Sequence, residues 1–281
     1  MVDAHLQLPH FLCIGTLRAG TTWLHRALTT HPAVFLPSEK ELMFFSHHYH
    51  RGLEWYARFF HAAPQRSKIG EVCPTYLASA PAAVRIRKHI PDAQLIVLLR
   101  DPTEQIWSRY LLISRRRHVT PDLSQFLEAK PSLLHDVSYS KLLSRFAWAR
   151  KAGRLRVWLY EELTENPARF LQEVESWIGV PQRQGAENLV RRENATQSAR
   201  LPTIEFAMSS IARTMRRRGL QGFKGLIART GLVERIRRLN FIDAFEPPPH
   251  DLREKVTAAL SCDICELENT LGRDLSSWKG R

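Results

Sequence analysis

Short, uninterrupted apolar runs recur along the first half of the chain. The longest is Leu95 to Leu99, and an earlier one, Phe11 to Ile14, ends at Gly15. Runs of this length without polar interruption are typical of strands buried on both faces of a parallel sheet. A third run, Leu155 to Tyr160, contains Arg156 and is therefore predicted to be a less deeply buried strand.

Helical patterns separate these runs and predict an α/β fold. The alternation predicts three layers (αβα), with a central parallel sheet flanked by helices. The expected helices span Trp23 to Thr30, Thr103 to Ser114, Ser140 to Lys151, Pro167 to Ile178 and, last, about Leu252 to Leu271.

The stretch from about residue 200 to 250 differs from the rest in its arginine content. Apolar residues interleave with arginines between Ile204 and Leu239, which predicts basic amphipathic helices. We expect a single domain over residues 1–281. It would consist of a core over 1–180, this basic helical region and a C-terminal helix within 251–281.

The net positive charge of the chain suggests a negatively charged binding partner but does not identify it. The chain has 41 Lys and Arg against 28 Asp and Glu, a formal net charge of +13. This excess suits nucleic acid, an anionic membrane or a small phosphorylated ligand, and equally a solvated basic surface. Hydrophobic residues make up 44% of the chain, which excludes a disordered composition.

Cysteine usage and the N-terminal segment indicate a reduced, cytoplasmic protein. Cys262 and Cys265 form a single C-x-x-C without a second pair or a nearby histidine, so no metal site is predicted. Met1 to His10 has no apolar segment of the kind found in signal peptides, and no run approaches the roughly 20 apolar residues of a membrane span.

A glycine-flanked loop joins the first predicted strand to the first helix. Free backbone N–H groups and the helix dipole make such a junction an anion site. Gly15 and Gly20 have the spacing of the G-x-x-x-x-G-K-[ST] loop of nucleotide triphosphatases, which indicates a P-loop-type fold. Thr21 stands where that pattern has lysine, and Arg100 follows the next apolar strand in place of a magnesium-binding carboxylate. The loop is therefore poorly equipped for ATP hydrolysis.

Two motifs resemble those of sulfotransferases that use 3′-phosphoadenosine 5′-phosphosulfate (PAPS). Arg18 to Trp23 resembles the 5′-phosphosulfate loop, with arginine in place of the usual lysine, and Leu98 to Pro102 with Ser108 resembles the 3′-phosphate site. The resemblance implies PAPS as donor, its desulfated form PAP as product, and a PAPS-binding core over residues 1–180. It implies donor binding by Arg18, Ala19, Gly20, Thr21, Thr22, Trp23, Arg100 and Ser108.

The segment between the motifs resembles heparan sulfate N- and O-sulfotransferases. A glutamate there precedes a Phe-Phe pair and acts as general base, a role that falls on Glu41. Histidines nearby are rival bases, since imidazole titrates near neutrality. The family's Glu-Lys-x-Pro-x-Tyr segment has Val72 in place of its lysine, which argues against simple assignment to a heparan sulfate enzyme. Candidate acceptor contacts are His47, His50, Tyr76 and His118.

The resemblance implies a bacterial sulfotransferase that works by direct in-line transfer. Glu41 would take the proton of a hydroxyl or amine on a glycan, lipid or secondary metabolite, and Arg18 would stabilise the leaving phosphate. No metal and no specific nucleic acid are expected. Peripheral membrane contact and oligomeric state stay open. The alternatives are a P-loop small-molecule kinase and a non-catalytic module that binds polyanions or membrane surfaces through the arginine-rich residues 213–238.

Overall fold

Five parallel strands form the central sheet of the computed structural model, in the order β2-β3-β1-β4-β5. The structure describes residues 6–117, 122–183, 197–199, 241–243 and 247–280. The strands are β1 (Phe11–Gly15), β2 (Val34–Phe35), β3 (Lys68–Val72), β4 (Gln94–Leu99) and β5 (Leu155–Leu159).

Helices flank the sheet, as the alternating pattern predicts. They are α1 (Thr21–Thr29), α2 (Leu53–Ala57), α3 (Ala80–His89), α4 (Pro102–Arg117), α5 (Leu123–Glu128), α6 (Ser132–His135), α7 (Tyr139–Ser144), α8 (Ala147–Lys151), α9 (Tyr160–Glu165), α10 (Pro167–Ile178) and α11 (His250–Leu271). Within the described ranges, no helix is both long and apolar enough to span a membrane. The α/β fold with a central parallel sheet is confirmed.

One predicted helix is wrong. The stretch Ser140 to Lys151 forms two short helices, α7 and α8, and not one. The chain leaves helical geometry at Phe146, whose side chain is fully buried. The preceding Arg145 donates to the carbonyl of Ala78 at 2.9 Å. The helix therefore breaks where Arg145 and Phe146 make tertiary contacts, and the local sequence pattern does not show this break.

The register of β1 decides where the loop after it lies. Leu12 pairs with Glu71 of β3 on one side and with Leu95 of β4 on the other. The N–H of Thr16, just beyond β1, donates to the carbonyl of Leu98 at 2.8 Å. The carboxyl ends of β1, β3 and β4 are therefore adjacent, and in open parallel sheets this is the edge where ligands bind.

Contacts divide the chain into two compact units. The first comprises residues 1–110, 123–193 and 248–281, and the second comprises 111–122 and 194–247. In the second unit β6 (Gln197–Ala199) pairs antiparallel with β7 (Phe241–Asp243). The helices predicted between residues 204 and 239 lie outside the described residues, and the domain limits stay a prediction.

Pairing of β1 with β3 leaves no room for a side chain at Gly70. A Cβ atom there would lie 2.1 Å from the ring of Phe11, which is fully buried in β1. We expect Gly70→Ala to lower the free energy of unfolding by about 3 kcal/mol, since overpacking forces neighbouring elements apart. Gly153→Ala is the control: its Cβ meets nothing within 4 Å, so only its left-handed backbone costs about 1 kcal/mol. Urea unfolding measures both, and equal losses would contradict the packing at Gly70.

Candidate active site

The loop between β1 and α1 ends at Gly20, immediately before the first turn of α1. Gly20 precedes α1 with a φ of 86°, and a Cβ there would lie 2.3 Å from the side chain of Leu163. Glycine is therefore required by both conformation and space. In the described part of the chain, no acidic residue lies in the first turn of α1 and no side chain caps it. The first N–H groups of the helix are thus available to an anion.

The three residues after Gly20 differ in how exposed they are. Thr21 is buried and Thr22 is exposed. Trp23 is buried and packs edge-on against Phe170 with ring centroids 6.0 Å apart. Its side chain belongs to the core.

The two predicted donor motifs meet in space. Arg18 Nε donates to Ser108 Oγ at 2.9 Å, a contact between residues 90 positions apart. Arg100 Nη1 donates to the carbonyl of Arg18 at 3.2 Å. The loop arginine, the arginine after β4 and the serine on α4 therefore form one cluster.

Arg100 is held rigidly and keeps one donor unused. The residue is only 7% exposed, and its Nη2 pairs with Glu104 at 2.7 Å. The guanidinium lies 4.6 Å from the ring centroid of Tyr160, a cation–π contact. Its Nε is buried and has no hydrogen-bond partner among the described residues. Buried donors are usually paired, so this orphaned N–H fits an additional acceptor such as a phosphate oxygen.

The turn after Arg100 is fixed by contacts that the sequence did not predict. Asp101 accepts from the N–H groups of Thr103 and Glu104 at 2.8 and 3.1 Å, which caps α4. Its other oxygen accepts from Arg253 of α11 at 2.9 Å. The hydroxyl of Tyr139 donates to the carbonyl of Arg100 at 2.8 Å. An aspartate directly before a helix is a common N-cap, so the cap at Asp101 is the one contact here that a local pattern could indicate.

Lys40 connects Glu41 to Thr22 in the first turn of α1. Lys40 Nζ donates to Thr22 Oγ1 at 3.5 Å and lies 3.6 Å from Glu41 Oε1. The Glu41 side chain is 17% exposed, so it is partly shielded yet reachable. Its negative charge contributes to raising the pKa of Cys13 and of Glu71, although burial is the largest cause of both shifts.

The candidate acceptor contacts have different surroundings. His47 and His50 are exposed around the π-helical turn Phe44–His48. Tyr76, predicted as an acceptor contact, has a fully buried side chain whose hydroxyl donates to Glu71 at 2.9 Å. His118 lies outside the described residues.

Glu71 is a buried carboxylate for which the sequence motif gave no role. It is 1% exposed and accepts from Tyr56 at 2.5 Å as well as from Tyr76. Burial raises its pKa from the usual 4.5 to about 7; the two tyrosine hydroxyls lower the pKa and the charge of Glu41 raises it. Glu71 lies on β3, which has no uninterrupted apolar run from which the sequence could predict a strand.

Comparison with known proteins identifies the family. The family described as "Sulfotransferase domain" matches residues 8–218, well over half of the chain. The chain belongs to the sulfotransferase domain family.

Individual relatives in this family match parts of the chain. A membrane-associated sulfotransferase, kil1, of Dictyostelium discoideum is 36% identical over 136 residues, covering 47% of this chain and 28% of the relative. The human bifunctional heparan sulfate N-deacetylase/N-sulfotransferase 2 is 30% identical over 198 residues, covering 62% and 22%. The chain thus spans less than a third of the length of these two relatives.

A solved structure extends the similarity to the whole fold. The crystal structure of a sulfotransferase from Alicyclobacillus acidocaldarius aligns with 97% of this chain and 99% of its own, with a TM-score of 0.70 and 20% identity. The sulfotransferase fold therefore accounts for nearly all of the chain.

The raised pKa of Glu71 predicts how stability changes with pH. Because the folded state holds this proton more tightly than the unfolded state, the contribution is complete below pH 4.5 and is lost as pH rises through about 7. The loss amounts to roughly 3 kcal/mol, at about 1.4 kcal/mol per pKa unit. Glu71→Gln has no such proton, so the stability of the wild type relative to the variant should fall between pH 5 and 8. Urea unfolding at both pH values measures this, and a constant difference would contradict the assignment.

Proposed function

We propose that this chain is a PAPS-dependent sulfotransferase that moves a sulfuryl group to a hydroxyl or an amine. The observation that carries the proposal is the joining of the two donor motifs through Arg18, whose side chain reaches Ser108 and whose carbonyl accepts from Arg100. Two phosphate-binding elements side by side suit a ligand that is phosphorylated at both the 3′ and the 5′ position of its ribose.

The residues present fit this donor. The backbone from Ala19 to Trp23 and the hydroxyls of Thr21 and Thr22 would hold the 5′-phosphosulfate. Arg100 and Ser108 would hold the 3′-phosphate, and the unpaired buried Nε of Arg100 supplies a donor for it. When bound, PAPS supplies a sulfuryl group attached to a good leaving phosphate.

Three charged residues would carry the transfer. Glu41 removes the acceptor proton while the acceptor oxygen or nitrogen forms its bond to sulfur. The bond from sulfur to the bridging oxygen breaks with its electron pair, and the products are the sulfated acceptor, PAP and the proton on Glu41. Arg18 stabilises the charge that grows on the leaving oxygen. Lys40, next to Thr22, adds a compact positive charge that the sequence motif did not include.

The acceptor is proposed to be a glycan, lipid or secondary metabolite. Relatives include a heparan sulfate N-deacetylase/N-sulfotransferase and a heparan sulfate glucosamine 3-O-sulfotransferase, 3A1 of mouse, 30% identical over 186 residues. The buried Val72 in place of the family's lysine speaks for a different acceptor. Metal independence and a cytoplasmic location are part of the proposal.

Donor recognition is tested by calorimetry of PAP binding in EDTA. We expect micromolar affinity for PAP, at least tenfold weaker binding of ATP, and a loss of about 30-fold or more in Arg100→Ala, because charged hydrogen bonds to a phosphate are removed. Arg154→Ala is the matched control, since that arginine pairs with the exposed Asp92. Equal affinity for PAP and ATP, or a requirement for Mg²⁺, would favour the kinase alternative.

The general base is tested with Glu41→Gln. Turnover of ³⁵S-labelled PAPS should fall by about 10²- to 10⁴-fold, the range of general-base catalysis, with the PAP dissociation constant unchanged. The acceptor panel consists of N-desulfated heparin, 4-nitrophenol and water. Glu39→Gln is the control, because Glu39 is exposed and contacts only Ser38 in the described hydrogen bonds. Full activity in Glu41→Gln would move the role to a histidine of the segment 47–50.

A further inference from the structure

Among the described residues, two glutamates are almost completely buried. They differ in whether a positively charged side chain pairs with the carboxylate. Glu175 on α10 pairs with Arg183 at 2.8 Å. Glu71 on β3 forms no ion pair with any described residue and accepts from two tyrosine hydroxyls instead. Burying a carboxylate without a cation costs stability, so packing alone does not account for a glutamate at this position.

Both tyrosines connect Glu71 to the Phe44–Phe45 pair. The ring of Tyr56 stacks on Phe44 with centroids 4.4 Å apart and an interplanar angle of 9°. The hydroxyl of Tyr76 accepts from the N–H of Phe45 at 3.4 Å. Each oxygen of Glu71 therefore fixes a tyrosine that in turn contacts one of the two phenylalanines.

The phenylalanine pair begins the π-helical turn that directly follows the segment of the proposed base. Only Leu42 and Met43 separate Glu41 from Phe44. Met43 has a left-handed backbone, with a φ of 52°, so the chain turns sharply between the base and the pair. The carbonyl of Phe45 accepts from Arg85 at 2.7 Å, which is a further contact that holds the pair.

We propose that Glu71 is a positioning residue for sulfuryl transfer: through Tyr56 and Tyr76 it holds the Phe44–Phe45 turn and thereby positions Glu41 beside the loop between β1 and α1. The inference rests on the proposed function and on Glu41 as the base. It also explains the choice of a carboxylate. Each tyrosine hydroxyl donates to a different oxygen of Glu71, and a carboxyl group presents two oxygens, whereas an amide presents one oxygen and an NH₂ group that only donates.

The direct test is hydrogen exchange at the amide of Phe45. Glu71→Gln and Tyr76→Phe should each accelerate exchange at this amide about tenfold or more relative to the wild type, because its acceptor is displaced or removed. This readout needs no acceptor substrate. Unchanged protection of Phe45 in both variants would overturn the proposal.

Kinetics separate positioning from a general loss of structure. With ³⁵S-labelled PAPS and the best acceptor of the same panel, kcat of Glu71→Gln should fall about 10- to 100-fold, as expected when a catalytic group is misplaced. The KM for PAPS and the PAP dissociation constant should change less than twofold. Tyr76→Phe, which removes one buried hydroxyl, should lower kcat in the same direction and decides the matter where Glu71→Gln fails to fold.

Glu175→Gln is the matched control. It removes a buried carboxylate on a different element and should lower thermal stability while kcat stays within twofold of the wild type. Wild-type kcat in folded Glu71→Gln and Tyr76→Phe would overturn the positioning role and leave the proposed function intact. A wild type that neither binds PAP nor turns over PAPS would overturn the proposed function, and the inference with it.

Discussion

Parallel pairing of β1 with β4 is the constraint on which the candidate site depends. It places the loop after β1 beside the turn after β4, and the bond from the Thr16 N–H to the Leu98 carbonyl continues this pairing past the strand end. Only because the two exits are adjacent can Arg18 reach Ser108 and Arg100 reach the carbonyl of Arg18. A change that separated these strands would divide the anion site into two unconnected halves.

Acidic residues around the site hold the arginines in place. Glu104 pairs with Arg100, and Asp101 pairs with Arg253 while capping α4. These contacts restrict a long side chain before any anion arrives, which lowers the entropy that binding must cost. They also reduce the local positive charge, so a ligand that binds here must offer enough negative charge to compete with Glu104. A dianionic phosphate meets that requirement better than a neutral sugar.

The sequence predicted those parts of the fold that rest on local pattern. The runs at β1, β4 and β5 are apolar throughout or nearly so, and Gly15 and Gly20 have the spacing of a loop that can bind an anion. By contrast, β2 has two residues and β3 contains Lys68, Gly70 and Glu71, so neither shows an apolar run. Without β3, the burial of Tyr76 against Glu71 could not be foreseen.

Contacts between distant segments account for the remaining differences. Arg253 reaches Asp101 across 152 positions, and nothing in its own neighbourhood indicates a partner. The break between α7 and α8 accompanies the burial of Phe146, which depends on the helices and strands around it. Motif spacing identifies what a loop can bind, but the positions of the residues that hold the loop follow from tertiary packing alone.

If the proposed function is right, the cluster of Arg18, Arg100 and Ser108 holds the two phosphates of a single ligand at separate points. ³¹P NMR of PAP resolves its 3′- and 5′-phosphates, so it tests this claim most directly. Both resonances should shift when PAP binds to the wild type. At saturating protein, Arg100→Ala should return the 3′ resonance toward its free position while the 5′ resonance stays shifted. A 3′ resonance that never shifts, or two resonances that respond identically to Arg100→Ala, would contradict the account.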